Sequence, residues 1–354
     1  MRALALGLLV LLAGCLPNLQ RVNPEQPPSP ENWGPNPVPL EWWYVSAYLP
    51  QEGLAFHWAM FKAYAPQNYR IGLFQPALFF PGPYHASHLA VTDLNTGRIT
   101  FQERFDFRTD RPQGDSLTSY PPLRLEQGDW KLLQEGDHYI LSAGPIQLRL
   151  TPSKPAVVHP PGYSGTAETG RMYYISYTRM RLEGHILGRR VQGEAWMDHQ
   201  WGDQIGGNSL GALWDWFGLH LSDGQDLMLY RVKNPKGQVV QLAGSLVDAS
   251  GQAHEVEGLE MTPLDTWTSP SGRTYALSWQ IQAQDLSLKL DPLRQNQELL
   301  TRSTGVAYWE GPVQGSGTFK GRAIQATGMG EFVAGPYNPS GSPFITPLPD
   351  PGSP

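Results

Sequence analysis

The chain reads as an all-β protein, and three observations predict that class. Short apolar or aromatic runs alternate with turn signals roughly every ten residues from Val38 to Gly335, the pattern of antiparallel sheets and barrels. Glycine and proline, 38 and 33 of 354 residues, punctuate those runs. Tryptophan and tyrosine are plentiful at 12 and 15, whereas stretches with a helical apolar period are scarce.

Taken in order, the chain opens with Arg2, an apolar run from Ala3 to Leu12, and Leu12, Ala13, Gly14 and Cys15. A spanning helix needs about 20 apolar residues, so residues 1–15 read as a removable signal. The small residues before Cys15 resemble a bacterial lipobox, which implies cleavage before Cys15 and a diacylglyceryl group on its thiol, with acyl chains such as palmitate. The expected product is an extracytoplasmic lipoprotein held on a membrane; the alternative is a plain secretory signal that happens to end in cysteine. Cys15 is the sole cysteine, so a disulfide framework and a thiolate metal site are excluded. Residues 16–37 are rich in Pro, Asn and Gln without apolar period and predict a flexible tether, with a random-coil reach of about 25 Å. Residues 336–354 have the same character and are expected to be disordered.

Between these ends, Trp42 to Leu49, a turn at Pro50 to Gly53, and Leu54 to Tyr64 predict a hairpin. His88 to Asp93 and Arg98 to Arg108, turned at Asn95 to Gly97, predict a second. Trp214 to Leu221 with Asp226 to Lys233 resembles the first, and Ser245 to Val256 resembles the second. Leu182 to Gly193 carries Gly184, Gly188, Arg189 and Gly193, and Ser316 to Gly330 carries Gly317, Gly321, Arg322 and Gly328 in nearly the same frame. The same order of hairpins thus occurs twice, which predicts two related β domains, residues 38–204 and 205–335, joined between Asp203 and Ala212. Closed barrels and open sandwiches both fit the periodicity. The formal net charge is −6 and no basic run appears, so nucleic acid is not an expected partner.

Chemistry concentrates in three clusters: Glu41 to Tyr44, Ala195 to Asp203, and Trp214 to Phe217. Around them stand Tyr173, Tyr174, Tyr177 and Arg179, and later Tyr308 to Gly311. The run from Tyr173 through Gly202, then Trp214 to Tyr230, Trp267 to Pro270 and Tyr308 to Gly311, resembles the AttH/CrtC family of carotenoid 1,2-hydratase-like, kievitone hydratase-like and lipocalin-like cyclase proteins. The likeness spans about Pro39 to Phe332 in unbroken order. It implies two tandem lipocalin-like (calycin) barrels but not one reaction, because a fold hosts several. Gly328, Met329, Gly330, Glu331, Phe332 departs from the family pattern near the closing strand.

Hydrating an alkene requires a proton donor, a wall that stabilises a cation, and a held water. A carboxyl in a dry aromatic pocket keeps its proton nearer neutrality, and aromatic faces attract developing positive charge. Asp198, Asp203 and Asp215 are the candidate acids, with Glu41 beside them, and His199 is the candidate partner. Trp43, Tyr44, Tyr174, Tyr177, Trp201, Trp214, Trp216 and Tyr230 are the candidate ligand-binding side chains. Strand alternation places Asp198 and His199 on opposite faces, and likewise sets Asp215 away from Trp214 and Trp216, so structural struts are the competing reading. No recurring His/Glu/Asp spacing predicts a metal, no Gly-x-Ser-x-Gly elbow supports a serine hydrolase, and no glycine-rich loop opening a helix predicts a phosphate-bearing cofactor. Metal and cofactor are therefore expected to be none. Paired carboxylates with tryptophans also suit sugars, without specificity.

Two functions follow as expectations. The first is a membrane-anchored protein that binds an isoprenoid- or lipid-like molecule in a lipocalin-like cavity, with acid–base catalysis as an added capacity. The second is a hydro-lyase or isomerase acting on an apolar alkene; a secreted hydrolase is weaker. A transport-system partner stays unassigned.

Overall fold

A computed structural model of the chain describes residues 17–64, 82–106, 116–203 and 213–336. The signal, Cys15, residues 204–212 of the expected junction and residues 337–354 of the expected tail lie outside the described residues. Among the described residues the regular elements are strands only, in two antiparallel sheets.

The first sheet contains β1 (Leu40–Leu49), β2 (Leu54–Ala63), β3 (Tyr84–Asp93), β4 (Arg98–Asp106), β5 (Ser116–Ser119), β6 (Arg124–Gln127), β7 (Trp130–Glu135), β8 (His138–Ala143), β9 (Ile146–Pro152), β10 (Val157–Thr166), β11 (Gly170–Ile186) and β12 (Arg189–Gly202). Its order is β4-β3-β2-β1-β12-β11-β9-β8-β7-β6-β5, with β10 on β11, and it curls into a nearly closed barrel. Arg104 of β4 helps close the gap: it donates to Gln127 O at 3.0 Å and lies 4.3 Å over Trp130.

The second sheet contains β13 (Leu213–Leu221), β14 (Asp226–Lys233), β15 (Val239–Val247), β16 (Ala253–Glu255), β17 (Glu260–Thr268), β18 (Thr274–Ala283), β19 (Leu286–Pro292), β20 (Glu298–Leu300), β21 (Val306–Phe319) and β22 (Arg322–Pro336). Its order, β16-β15-β14-β13-β22-β21-β19-β18-β17 with β20 on β21, repeats that of the first sheet without β5 and β6. The repeat extends to turns. Leu187 and Lys320, with φ of 53° and 48°, each precede a glycine of positive φ (Gly188, Gly321) at the tip of the glycine-marked hairpin. Two successive residues of positive φ match the right-handed twist of the flanking strands, which is why a glycine occupies the second position.

Each sheet fills its own interior. Trp43, Val45 and Leu49 of β1 point into the first barrel with Trp58, Trp130, Leu141 and Met197. Phe217, Leu219, Trp279, Trp309 and Phe332 form the second core. The opposite faces of β1 and β13 are also covered, because the two barrels pack on one another through Tyr44, Tyr174, Trp196, Trp216, Met228, Tyr230 and Met329. That double coverage explains why β1, β2 and β13 read as near-continuous apolar runs rather than as alternating strands. Asp226 of β14, fully buried, fastens the barrels together by accepting from Lys154 (2.7 Å) and Arg179 (2.7 Å) of the first.

Residues 17–37, expected as a free tether, run as a strap across one end of the first barrel. Trp33 is 2% exposed and stacks 4.6 Å from Tyr177. Gln20 N donates to Pro37 O at 2.7 Å, and Asn23 N donates to the Tyr173 hydroxyl at 2.8 Å. Isolated anchors such as Val22 and Trp33 carry no period, so only the cavities that receive them reveal the packing.

Candidate active site between the barrels

A cavity of about 290 Å³ lies between the barrels, outside both filled cores. Register places its central residues. Tyr44 of β1 pairs with Ala59 of β2 and Asp198 of β12; in the same topological positions of the second barrel, Trp216 pairs with Tyr230 of β14 and Glu331 of β22. Asp198 and Glu331 are thus equivalent carboxylates of the repeat. Glu310 of β21 is the cross-strand neighbour of Glu331, as Ser176 of β11 is of Asp198. All three carboxylates line the cavity.

Their surroundings keep protons on them. Asp198, 5% exposed, accepts from Trp196 Nε1 at 2.5 Å, from Tyr174 at 3.0 Å and from the Ser176 hydroxyl. Burial nevertheless pushes its pKa to about 7, because those hydrogen bonds only partly replace water. Burial likewise pushes Glu331 to about 8; a hydrogen bond from Trp214 opposes the rise and the charge of Asp198 adds to it. Glu310 is held well above the ordinary carboxyl range by burial and by the neighbouring Glu331, although Tyr44 donates to it at 2.6 Å.

Behind Glu310 runs a chain of buried groups. His57 Nδ1 lies 3.1 Å from Glu310, His57 Nε2 lies 3.3 Å from the Tyr308 hydroxyl, that hydroxyl lies 2.9 Å from His88 Nδ1, and His88 Nε2 lies 2.8 Å from Ser303 Oγ. Burial, with the proximity of His88, lowers His57 to about 3; burial lowers His88 to about 4 against the opposing charge of Glu103. Both imidazoles are neutral at physiological pH, so the His57–Glu310 contact is a hydrogen bond between uncharged groups. Each neutral imidazole presents one donor and one acceptor. The chain can therefore run in one consistent sense from Ser303 to Glu310.

The walls are aromatic. Trp42 and Trp214 stack across the domain boundary at 6.4 Å, and Trp216 meets Tyr44 edge-on at 5.6 Å while donating to the Tyr174 hydroxyl at 2.8 Å. Tyr230 and Tyr308 complete the wall. Burial raises the phenols of Tyr44, Tyr174, Tyr230 and Tyr308, which stay protonated.

Of the residues singled out from sequence, the structure brings Asp198, Tyr44, Tyr174, Trp214, Trp216 and Tyr230 to this cavity. His199, Trp201, Trp43 and Tyr177 face the interior of the first barrel instead. There His199 bonds Glu41 at 3.0 Å and Asn32 O at 2.7 Å, and Glu41 also takes Lys62 at 3.1 Å. Burial works to raise Glu41, but His199, Lys62 and Asn36 together hold it below the ordinary range. Asp215 pairs with Arg231 (2.5 Å) and Lys233 (2.9 Å), apart from the cavity. Asp203 sits near Arg21 (3.5 Å) and accepts from Arg171 N at 3.4 Å. Asp198 and His199 therefore do not converge, as the strand period requires. Sequence alone assigns no site role to Glu331, His57 or His88, and marks Glu310 only as part of the run Tyr308 to Gly311. A charged Glu between Trp309 and Gly311 in an apolar strand was the available signal; for the two histidines only cross-barrel packing reveals the role.

The fold is similar to that of an AttH protein from Nitrosomonas europaea, at TM-score 0.74 and 23% identity over 89% of this chain and 99% of that one. It is also similar to kievitone hydratase from Nectria haematococca, at TM-score 0.64 and 18% identity over 90% and 96% of the two chains. CghA follows at TM-score 0.51 and 14% identity over 92% and 97%. No curated protein matches the sequence. The AttH-like family model matches residues 21–334, which include both barrels and every carboxylate of the cavity, and the chain belongs to the AttH-like family.

Proposed function

We propose that this protein takes an apolar, alkene-bearing small molecule into the cavity between its barrels and adds water across the double bond, or shifts that bond, by acid–base catalysis. The observation that carries the reading is the convergence of Asp198, Glu310 and Glu331, carboxyls that hold protons near neutral pH, on one aromatic-walled space. A carboxylic acid of the Glu310–Glu331 pair gives its proton to one alkene carbon. The cation that forms at the other carbon is stabilised by the tryptophan and tyrosine faces, each contributing roughly 0.5 to 2 kcal/mol. Water forms the new C–O bond, and its proton returns to the carboxylate that the donor has become, which restores the acid; Asp198, about half ionised near its pKa of about 7, is a second acceptor on the same cavity. In the isomerisation the same base removes a proton from the adjacent carbon. The hydratase named among the similar folds supports the reaction class. We also propose that Cys15 carries lipid and that the protein works outside the cytoplasm at a membrane.

The competing reading is a carrier that binds such molecules without turnover. Incubating residues 17–354 with an isoprenoid and lipid extract, followed by mass spectrometry, separates the two. Catalysis predicts a species heavier by one water, or a shifted double bond, that disappears with Glu310→Gln or Asp198→Asn. Unchanged ligand that co-purifies equally with wild type and both variants would refute it.

A further inference from the structure

The cavity has a direction. Among the described residues its floor is made of buried Tyr44, His57, Asp198 and Glu310, whereas Leu40, Ser164, Gln200, Trp214, Thr304 and Val306 at its rim are half-exposed. All the rim strands contribute at one end: β1, β3, β11, β13 and β21 at their starts, β2, β10, β12, β14 and β22 at their finishes. The strap enters at that same end. Gly202 pairs with Leu40 on one side and Met172 on the other, both of which line the cavity, and a Cβ at Gly202 would lie 2.5 Å from Val22 Cγ2. Two residues earlier, Gln20 is pinned to Pro37, next but one to the lining residue Pro39.

From this we infer that the half-exposed rim of the cavity faces a phospholipid bilayer, so that the apolar ligand passes between membrane and cavity without crossing bulk water. Five residue steps take the chain from Cys15 to Gln20, a span of at most about 18 Å fully extended. Lipid on Cys15 therefore cannot let the rim drift far from the headgroups, whereas the unpacked tether expected from composition would have left all orientations open. Exposed charges near the rim are of both signs, Arg21, Lys236 and Arg302 against Glu25 and Glu168, so the lipid chain and not net charge fixes this orientation. At the far end lie the tight turns at Asn95, Leu187 and Lys320. The inference rests on the reading of the cavity as an apolar-ligand site and on lipid at Cys15.

Because Cys15 is the sole cysteine, lipidation leaves no free thiol, and one introduced cysteine is a unique labelling site. The full chain bearing Ser164→Cys at the rim or Thr96→Cys at the far end is labelled with a fluorophore and reconstituted in phosphatidylethanolamine/phosphatidylglycerol vesicles that contain nitroxide-labelled lipid. Circular dichroism checks that both variants fold. The label at position 164 should be quenched several-fold more than the label at 96, and adding Cys15→Ser should abolish the difference. Equal quenching, stronger quenching at 96, or rim-selective quenching that survives Cys15→Ser would overturn the inference. A fluorescent conjugated tetraene fatty acid offered to residues 17–354 tests the cavity separately. Binding without rim-selective quenching sinks the orientation alone, and rim-selective quenching without binding sinks the ligand reading alone.

Discussion

Asp198→Asn tests whether the cavity carboxyls hold protons as their burial implies. In wild type the group moves from 3.8 to about 7 on folding, a difference of about three pH units. At about 1.4 kcal/mol per unit this amounts to roughly 4 kcal/mol of stability, an upper figure because water entering the cavity relaxes it. The sign follows from proton counting. Between the two values the folded state binds more protons than the unfolded one, so the contribution is fully present below pH 3.8 and is lost as pH rises to about 7. An Asn at 198 can keep its oxygen towards Ser176 and Trp196 and turn its amide to the Tyr174 hydroxyl, so the packing survives while the titration disappears. Urea unfolding followed by tryptophan fluorescence at pH 5, 7 and 9 should show wild-type stability falling with pH more steeply than that of the variant, the gap opening between pH 5 and 7 and then holding. The infrared carboxylic acid absorption of wild type at pH 5 should lose one component in the variant, while those of Glu310 and Glu331 remain. Parallel stability curves with no difference band would mean that Asp198 ionises like an exposed carboxyl, and the reading of the cavity as dry enough to hold protons on its carboxyls would fall with it.

The two buried histidines make the complementary prediction. With folded values of about 3 and 4 against an unfolded 6.5, the stability that His57 and His88 contribute is full above pH 6.5 and is lost on acidification through those lower values; nitrogen NMR should find both rings neutral at pH 5, and a ring titrating near 6.5 would contradict their burial. Asp215→Asn leaves Arg231 and Lys233 beside a neutral partner and should destabilise by about 3 kcal/mol in thermal unfolding while binding of an apolar probe is unchanged. Loss of binding at unchanged stability would instead assign Asp215 to the ligand. Trp214→Ala removes the indole that stacks on Trp42 and donates to Glu331, and should weaken binding of an apolar polyene by about 2 kcal/mol, some thirtyfold, in a fluorescence titration. Asp226→Asn removes the charge shared by Lys154 and Arg179 across the boundary, and calorimetry should then resolve the two barrels into separate transitions; a single sharp transition would show that the aromatic boundary suffices.

Much of the architecture was legible because it is local. A period of two with turn residues at fixed intervals marks β1 with β2, β3 with β4, and β13 with β14 within a few residues of their observed ends, since one backbone repeat and one turn decide each hairpin. The paired glycine-marked turns at Gly188 and Gly321 carried the duplication into the sequence, because positive φ restricts what can stand there. The aromatic residues Tyr44, Trp214 and Trp216 were identifiable for the same reason: large side chains at neighbouring strand positions must be buried somewhere.

Where they are buried was not legible. The alternation rule separates Asp198 from His199 but does not say which face meets the other barrel, and β1 and β13 are apolar on both faces because both are covered. Glu310 and Glu331 gain their character from adjacency across β21 and β22 and from removal of water by residues about 100 to 290 positions away in the chain, among them Tyr44 and Asp198. His57 and His88 join them only through Tyr308 of the other barrel. The sequence by itself determined strands, hairpins and their repetition, which depend on neighbours along the chain. The tertiary structure alone decided which carboxyls share a dry space, because desolvation and charge coupling depend on distance in space.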